Sequence, residues 1–97
     1  MSAEKIVLRA AQLLGINFGM SDKEIEDWHH DQHVGETDKS GLHVFVSTGR
    51  SLVLIEWSEP ESRVRRMTYS WKQFLAEARR IRSGEQMSID QIIAGQA

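Results

Sequence analysis

Apolar residues recur every three or four positions in four segments of the chain, a spacing that is typical of helices with one buried face. Gly15 and Gly84 follow two of these segments at positions suited to a left-handed helix cap, and Gly35 follows another. The second segment has a thin apolar stripe, formed by Ile25 and Trp28. The pattern predicts helices over residues 3–14, 21–33, 71–83 and 88–94.

The same sequence pattern occurs at the start of three of these helices. It consists of an apolar residue, a serine, two further residues, a glutamate or glutamine, and a second apolar residue. In such a capping box the serine hydroxyl accepts a hydrogen bond from the backbone N–H three residues on, and the glutamate or glutamine accepts one from the serine N–H. We therefore expect helices to begin at Ser21, Ser70 and Ser88, and we do not expect these serines to act as nucleophiles.

Alternation of apolar and polar residues predicts strands between the second and third helices. Residues 42–48 and 51–57 flank Gly49-Arg50, which fits a two-residue type II′ turn. Such a turn pairs Thr48 with Ser51. It places on one face of the hairpin Leu42, Val44, Val46, Val53, Ile55 and Trp57.

A third strand is predicted over residues 63–69, after a type I turn at residues 59–62 with Pro60 at its second position. If Glu59 pairs with Ser62, then Arg65 lies opposite Glu56, and Met67 and Tyr69 lie on the second face of the sheet. Neither face is then wholly polar, so we expect both to be covered at least in part. The cover would come from the helices of the same chain or from a second copy of it.

Together these elements predict an α+β fold in a single domain spanning residues 1–97. Its centre is a three-stranded antiparallel meander, and the order of elements is α-α-β-β-β-α-α. The chain has 97 residues and no cysteine, which excludes a disulfide framework and thiol catalysis. Its start lacks a signal-peptide pattern and its apolar runs are too short to span a bilayer, so we expect a cytoplasmic protein with no membrane partner.

The charge of the chain is unevenly distributed. Residues 21–38 contain seven acidic residues and one lysine, a net charge of −6, whereas residues 63–82 contain seven basic residues and one glutamate, a net charge of +6. Two interpretations follow. The two segments face each other or form two solvated surfaces, or one of them meets a partner of opposite charge.

The acidic second helix predicts a protein-binding surface. A helix with so little apolar surface to bury gains order from a partner or a second protomer, and tryptophan is a frequent anchor of protein interfaces. The chain has no Gly-rich phosphate loop and no nucleophile elbow, so we predict a non-catalytic regulator, adaptor or inhibitor without a cofactor. Its partner would be a protein, basic in character, or a second copy in a homodimer. The predicted contact residues are Glu24, Glu26, Asp27, Trp28 and Asp31.

Two alternatives remain open at this level. Exposed arginines beside aromatic residues can bind nucleic acid, and the basic segment offers Arg63, Arg65, Arg66, Arg79, Arg80 and Arg82. A metal ion is the second alternative. If the second helix reaches residue 33, His29 and His33 are four positions apart on one face, and Glu26 could add a carboxylate ligand.

Overall fold

Three helices and four antiparallel strands follow one another in the order α-α-β-β-β-β-α in this computed structural model, which describes residues 2–96 and the side chains of residues 2–84. The α+β class is confirmed. The predicted count of three strands is wrong, because an additional strand precedes the other three. The elements are α1 (Ala3–Leu14), α2 (Asp22–His29), β1 (His33–Thr37), β2 (His43–Thr48), β3 (Leu52–Ser58), β4 (Arg65–Ser70) and α3 (Trp71–Gln96).

The strands lie side by side in chain order, β1-β2-β3-β4, and each pairs with the next in antiparallel fashion. Helix α1 packs on β1, β2 and β3, and α3 packs on β3, β4 and α1. One cluster of buried apolar residues joins these helices to the sheet. From the strands it includes Val44, Val46, Val53 and Ile55, from the position just before β2 it includes Leu42, and from the helices Ile6, Val7, Ala10, Ala11, Leu14, Ile25, Trp71, Phe74, Leu75, Ala78 and Ile81.

Two of the predicted capping boxes are confirmed. At the start of α2 the Ser21 hydroxyl accepts from the Glu24 N–H at 3.2 Å, and the Glu24 carboxylate accepts from the Ser21 N–H at 3.3 Å. At the start of α3 the corresponding bonds join Ser70 and Gln73 at 3.1 and 3.2 Å. The predicted end of α1 is also confirmed, since Gly15 adopts a φ of 73°.

The predicted break between a third and a fourth helix is wrong. Helix α3 continues through Gly84 and Ser88 to Gln96, so Ser88 does not begin a helix. Gly84 does not adopt a positive φ, and one glycine within a helix costs only about 1 kcal/mol relative to alanine. The buried face predicted for the helix over residues 88–94 lies outside the part of the chain whose side chains the structure describes.

The β2–β3 hairpin has the predicted faces but not the predicted register. Thr48 pairs with Val53 rather than Ser51, a shift of two residues that leaves every side chain on its predicted face. The connection is displaced by one residue along the chain, because the Gly49 N–H donates to the Leu52 carbonyl at 2.9 Å and so encloses Arg50 and Ser51 rather than Gly49 and Arg50. Gly49 does not adopt the positive φ that a type II′ turn requires at its first central position. The Gly49 carbonyl also accepts a hydrogen bond from the Trp71 indole at 2.8 Å, which fixes this turn on α3.

The β3–β4 register differs from the prediction by one residue, which exchanges the two faces of β4. Glu56 pairs with Arg66 rather than Arg65, and Met67 and Tyr69 lie opposite Ile55 and Val53, on the face covered by the helices. The Ser62 N–H does donate to the Glu59 carbonyl at 3.1 Å. However, Glu61 has a φ of 62°, as a type II turn requires at its third position, and residues 63 and 64 remain outside the ladder.

Strand β1 replaces the predicted end of the second helix and extends into residues to which the sequence pattern assigned no element. Gly35 lies within this strand, opposite Phe45, rather than ending a helix. A Cβ atom at Gly35 would lie 2.8 Å from the Phe45 ring, so the ring occupies the space that a side chain would need. This close approach explains why the strand tolerates a glycine.

The helices of the chain cover only one of the two faces of the sheet, so cover of the other face by a second copy stays a prediction. The face that carries Val44, Val46 and Ile55 is buried under α1 and α3. The opposite face carries Phe45 and Leu54 at its centre, and none of its described residues is buried.

Among the described residues, no helix combines the length and the apolar character needed to span a bilayer.

Candidate functional site

The start of α2 is fixed by a single arginine from α3. The guanidinium of Arg79 donates to the carbonyls of Phe18 and Met20 at 2.8 and 3.1 Å and to the carboxylate of Asp22 at 3.0 Å. Its Cζ atom lies 5.5 Å from the centre of the Phe18 ring, and that of Arg82 lies 4.4 Å from it. The connector between α1 and α2 is therefore held by planar hydrogen bonding and by cation–π contact.

The end of α2 is fixed by a residue of the sheet. The buried hydroxyl of Thr48 donates to the His29 carbonyl at 2.6 Å and accepts from the Gln32 N–H at 2.8 Å. Backbone bonds from Asp31 N–H to the Thr48 carbonyl and from Thr48 N–H to the Gln32 carbonyl complete the junction. Asp31 has a φ of 61° and turns the chain toward β1. The predicted continuation of the helix to residue 33 is wrong because these contacts end it at His29.

The geometry on which the metal interpretation depended is not present. His33 lies in β1 rather than one helical turn beyond His29, so the two imidazoles do not share a helix face. His29 is itself buried, and its Nδ1 atom is 2.7 Å from the Gln32 side-chain oxygen, which can only accept. In the described part of the chain, no three histidine, aspartate or glutamate residues form a group that could hold a metal ion.

Trp28 is the outstanding exposed residue of α2. Its side chain is 75% exposed, whereas Ile25 and His29 on the same helix are buried. Glu24 lies one turn before Trp28 on the same side of the helix, and Asp31 follows immediately after the helix. The helix is thus attached to the protein by its other residues and presents its only tryptophan to solvent.

The structure keeps most of the predicted contact residues accessible. Glu24, Asp27 and Asp31 are exposed, and Glu26 is half-buried. Asp31 is 3.2 Å from the His30 ring, and Glu24 takes part in the capping box. Among the described residues, Glu26 and Asp27 form no ion pair. The exposed side of α2 therefore combines one large aromatic ring with acidic charge that the rest of the described chain does not neutralise.

The six predicted arginines are divided among several places. Arg79 and Arg82 contact the α1–α2 connector, and Arg80 pairs with Glu4 and Glu77. Arg66 lies on the uncovered face of the sheet, 3.4 Å from Glu56. The remaining two, Arg63 and Arg65, are exposed around the start of β4. Three of the six arginines, Arg66, Arg79 and Arg80, are thus paired with carboxylates of the same chain.

The charge asymmetry of the sequence is partly resolved within the molecule. Asp22 and Arg79 join the acidic segment to the basic segment through one ion pair of 3.0 Å.

Sequence reasoning missed the two residues that position α2, Arg79 and Thr48. Neither has a local signal, because the partners of Arg79 are 57 to 61 residues away and that of the Thr48 hydroxyl is 19 residues away.

Comparison of the chain with family models, with curated proteins and with solved structures finds no match.

Proposed function

We propose that this protein is a non-catalytic protein-binding module, acting as a small regulator, adaptor or inhibitor, and that the exposed side of α2 contacts its partner. The observation that carries the proposal is the 75% exposure of Trp28 on a helix that other residues hold in place. Residues whose truncation costs about 2 kcal/mol or more of binding free energy cluster near the centre of protein interfaces, and tryptophan is enriched among them. An exposed tryptophan that the fold does not require is consistent with such a role.

The polar contacts at both ends of α2 support this reading. The Arg79 hydrogen bonds and the Thr48 junction orient the helix without any contribution from Trp28. A rigidly oriented side chain loses less conformational entropy when it binds than a flexible one does. The structure of α2 is therefore suited to present Trp28 to an apolar pocket on another protein.

The acidic residues around Trp28 indicate the chemistry of the partner. Glu24, Asp27 and Asp31 would lie at the rim of the interface, where charge mainly affects association rate and specificity. A partner with basic residues around an apolar pocket matches this surface. A second copy matches it poorly, because a two-fold contact through α2 would bring the same acidic residues of both copies together.

Affinity capture from the host lysate with three variants tests the proposal. The wild-type chain, Trp28→Ala and Val64→Ala are used as baits, and the retained proteins are identified by mass spectrometry. Val64 is the matched control, because its side chain is 61% exposed and lies in the β3–β4 connection. We expect a common set of proteins on wild type and Val64→Ala that is absent from Trp28→Ala. Equal capture by all three baits, or no specific capture by wild type, would overturn the proposal.

A charge variant tests the partner's chemistry. Replacement of Asp27 by Lys should weaken the captured complex, and the loss should diminish as salt is raised, because exposed charges are screened within about 8 Å at 0.15 M ionic strength. An Asp27→Lys complex as strong as wild type at low salt would contradict a basic partner while leaving the role of Trp28 to the capture experiment.

A further inference from the structure

Strand β4 is an edge of the sheet. It pairs with no strand other than β3 in the described chain, and at its end the Ser70 N–H donates to the Gln73 side chain in the capping box of α3. The N–H and C=O groups along the far side of residues 65–69 are therefore available to another strand. Edge strands of this kind accept extended peptides by forming an additional strand, in which main-chain bonds supply affinity and side-chain pockets supply specificity.

A groove accompanies this edge on the face covered by the helices. It has a volume of ≈ 440 Å³ and is lined by Tyr69 of β4 and by Gln73, Ala76, Glu77 and Arg80 on one side of α3. Tyr69 and Ala76 provide its apolar walls, and the Glu77–Arg80 ion pair lies at its rim. Partial burial, with a smaller contribution from the Glu77 charge, raises the pKa of Tyr69, and its hydroxyl donates to the Met67 sulfur at 3.4 Å.

The other half of the edge is basic. Arg65 and Arg66 lie on opposite faces of β4, and Arg63 precedes the strand. All three are exposed, and among the described residues only Arg66 of these three forms an ion pair. The edge thus presents an apolar groove at one end and three exposed arginines at the other, of which Arg66 pairs with Glu56 and Arg65 interacts electrostatically with Glu59.

We propose that the free edge of β4 and the groove beside it bind an extended acidic peptide segment of another protein as a fifth strand. Side chains alternate between the two faces of a strand, so a residue beside Tyr69 and a residue beside Arg65 are four positions apart on the same face. The preferred peptide carries an apolar side chain for the groove and acidic side chains next to Arg65 and Arg66. A second copy is a poorer occupant, because a β4–β4 contact would place six arginines along one two-stranded ribbon.

Fluorescence anisotropy with a labelled peptide tests this proposal. The probe is Thr-Val-Thr-Val-Glu-Glu-Glu, and two control peptides replace the glutamates with lysines or the central valine with proline, which lacks the N–H needed for the ladder. At about 50 mM salt we expect the probe to bind at least about tenfold more tightly than either control, a difference of about 1.4 kcal/mol. Undetectable binding of the probe, or equal binding of the three peptides, would overturn the proposal.

Matched variants of the protein separate a specific site from general charge attraction. Arg65→Glu and Lys72→Glu each change the net charge by the same amount at an exposed position, but Lys72 lies on α3 rather than on β4. We expect Arg65→Glu to weaken probe binding about tenfold, a loss of ~1.4 kcal/mol, and Lys72→Glu to change it less than about twofold. Equal losses in the two variants would show that the attraction is not specific to β4.

Two further readouts locate the probe. Its addition should shift the backbone amide resonances of residues 65–70 and slow their hydrogen exchange, whereas shifts confined to β1 would place it on the other edge and contradict the proposal. Sedimentation must show a monomer-sized species in the absence of peptide, because self-association through β4 would mean that a second copy occupies the edge. Trp28→Ala should bind the probe as wild type does, so this test fails or succeeds independently of the function proposed for α2.

Discussion

Helices α2 and α3 begin in the same way and are held in different ways. Each starts with a serine capping box whose partner is three residues on, at Ser21 and at Ser70. The first three turns of α3 then bury five apolar side chains, whereas α2 ends after eight residues and buries only Ile25 and His29. The two helices therefore share the hydrogen bonds that begin them, but different contacts hold each helix in its place.

The comparison distinguishes α3, whose packing on the sheet stabilises the fold, from α2, whose exposed side is available to a partner. Burial of apolar area fixes α3 on the sheet, and hydrogen bonds from Arg79 and Thr48 fix α2 at its two ends. Because these polar contacts and the buried side chain of Ile25 position α2, and Trp28 is exposed, we infer that the fold does not require this tryptophan for packing. The substitutions below test this division.

Truncation of the buried tryptophan of α3 should have the largest effect. Trp71 is 1% exposed, and its indole N–H donates to the Gly49 carbonyl. We expect Trp71→Ala to lower the free energy of unfolding by about 3–5 kcal/mol, because it leaves a cavity and an unpaired carbonyl. Urea denaturation followed by circular dichroism measures the change. A loss below about 1 kcal/mol would mean that α3 is not held by core packing.

Removal of the hydroxyl that ends α2 should have the next largest effect. Thr48→Val preserves the side-chain shape but leaves the His29 carbonyl and the Gln32 N–H without their partner, a cost of about 1–3 kcal/mol. Thr48→Ser keeps the hydroxyl and serves as the control. We expect the Gln32 amide to exchange faster in Thr48→Val than in Thr48→Ser. Equal stability of the two variants would contradict the role of this junction.

Replacement of the arginine at the other end of α2 should cost less. Arg79→Lys keeps the positive charge but loses the planar fork that reaches Phe18, Met20 and Asp22 at once. We expect a loss of about 1 kcal/mol in unfolding free energy and faster exchange of amides in the first turn of α2. Arg82→Lys, which retains a cation near the Phe18 ring, is the control. A larger loss for Arg82→Lys would assign the anchoring of this connector to the ring contact instead.

The sequence allows prediction of those features whose cause lies within a few residues. Both described capping boxes and the Gly15 cap depend on neighbours three or four positions away. The end of α2 could not be predicted, because Thr48 reaches it across 19 residues. The register of β3–β4 also escaped prediction: the positive φ of Glu61 lengthens the connection by one residue and exchanges the faces of β4.

The candidate site shows the same limit. The thin apolar stripe of α2 indicated a helix with little to bury, and Trp28 is indeed exposed in the structure. The histidine pair at positions 29 and 33 had the spacing of metal ligands only while the helix was assumed to continue. The residues that orient α2 are far away in sequence, so spacing alone does not identify them.

The unfolding free energy of Trp28→Ala tests the central claim most directly, because the claim is that the fold does not require this ring. Circular dichroism in urea is the suitable probe, since the substitution itself alters tryptophan fluorescence. The account predicts a value within about 0.5 kcal/mol of wild type, as for other surface substitutions, beside the much larger loss for Trp71→Ala. A loss of about 2 kcal/mol or more, the size seen when core side chains are truncated, would show that Trp28 belongs to the core and would contradict the account.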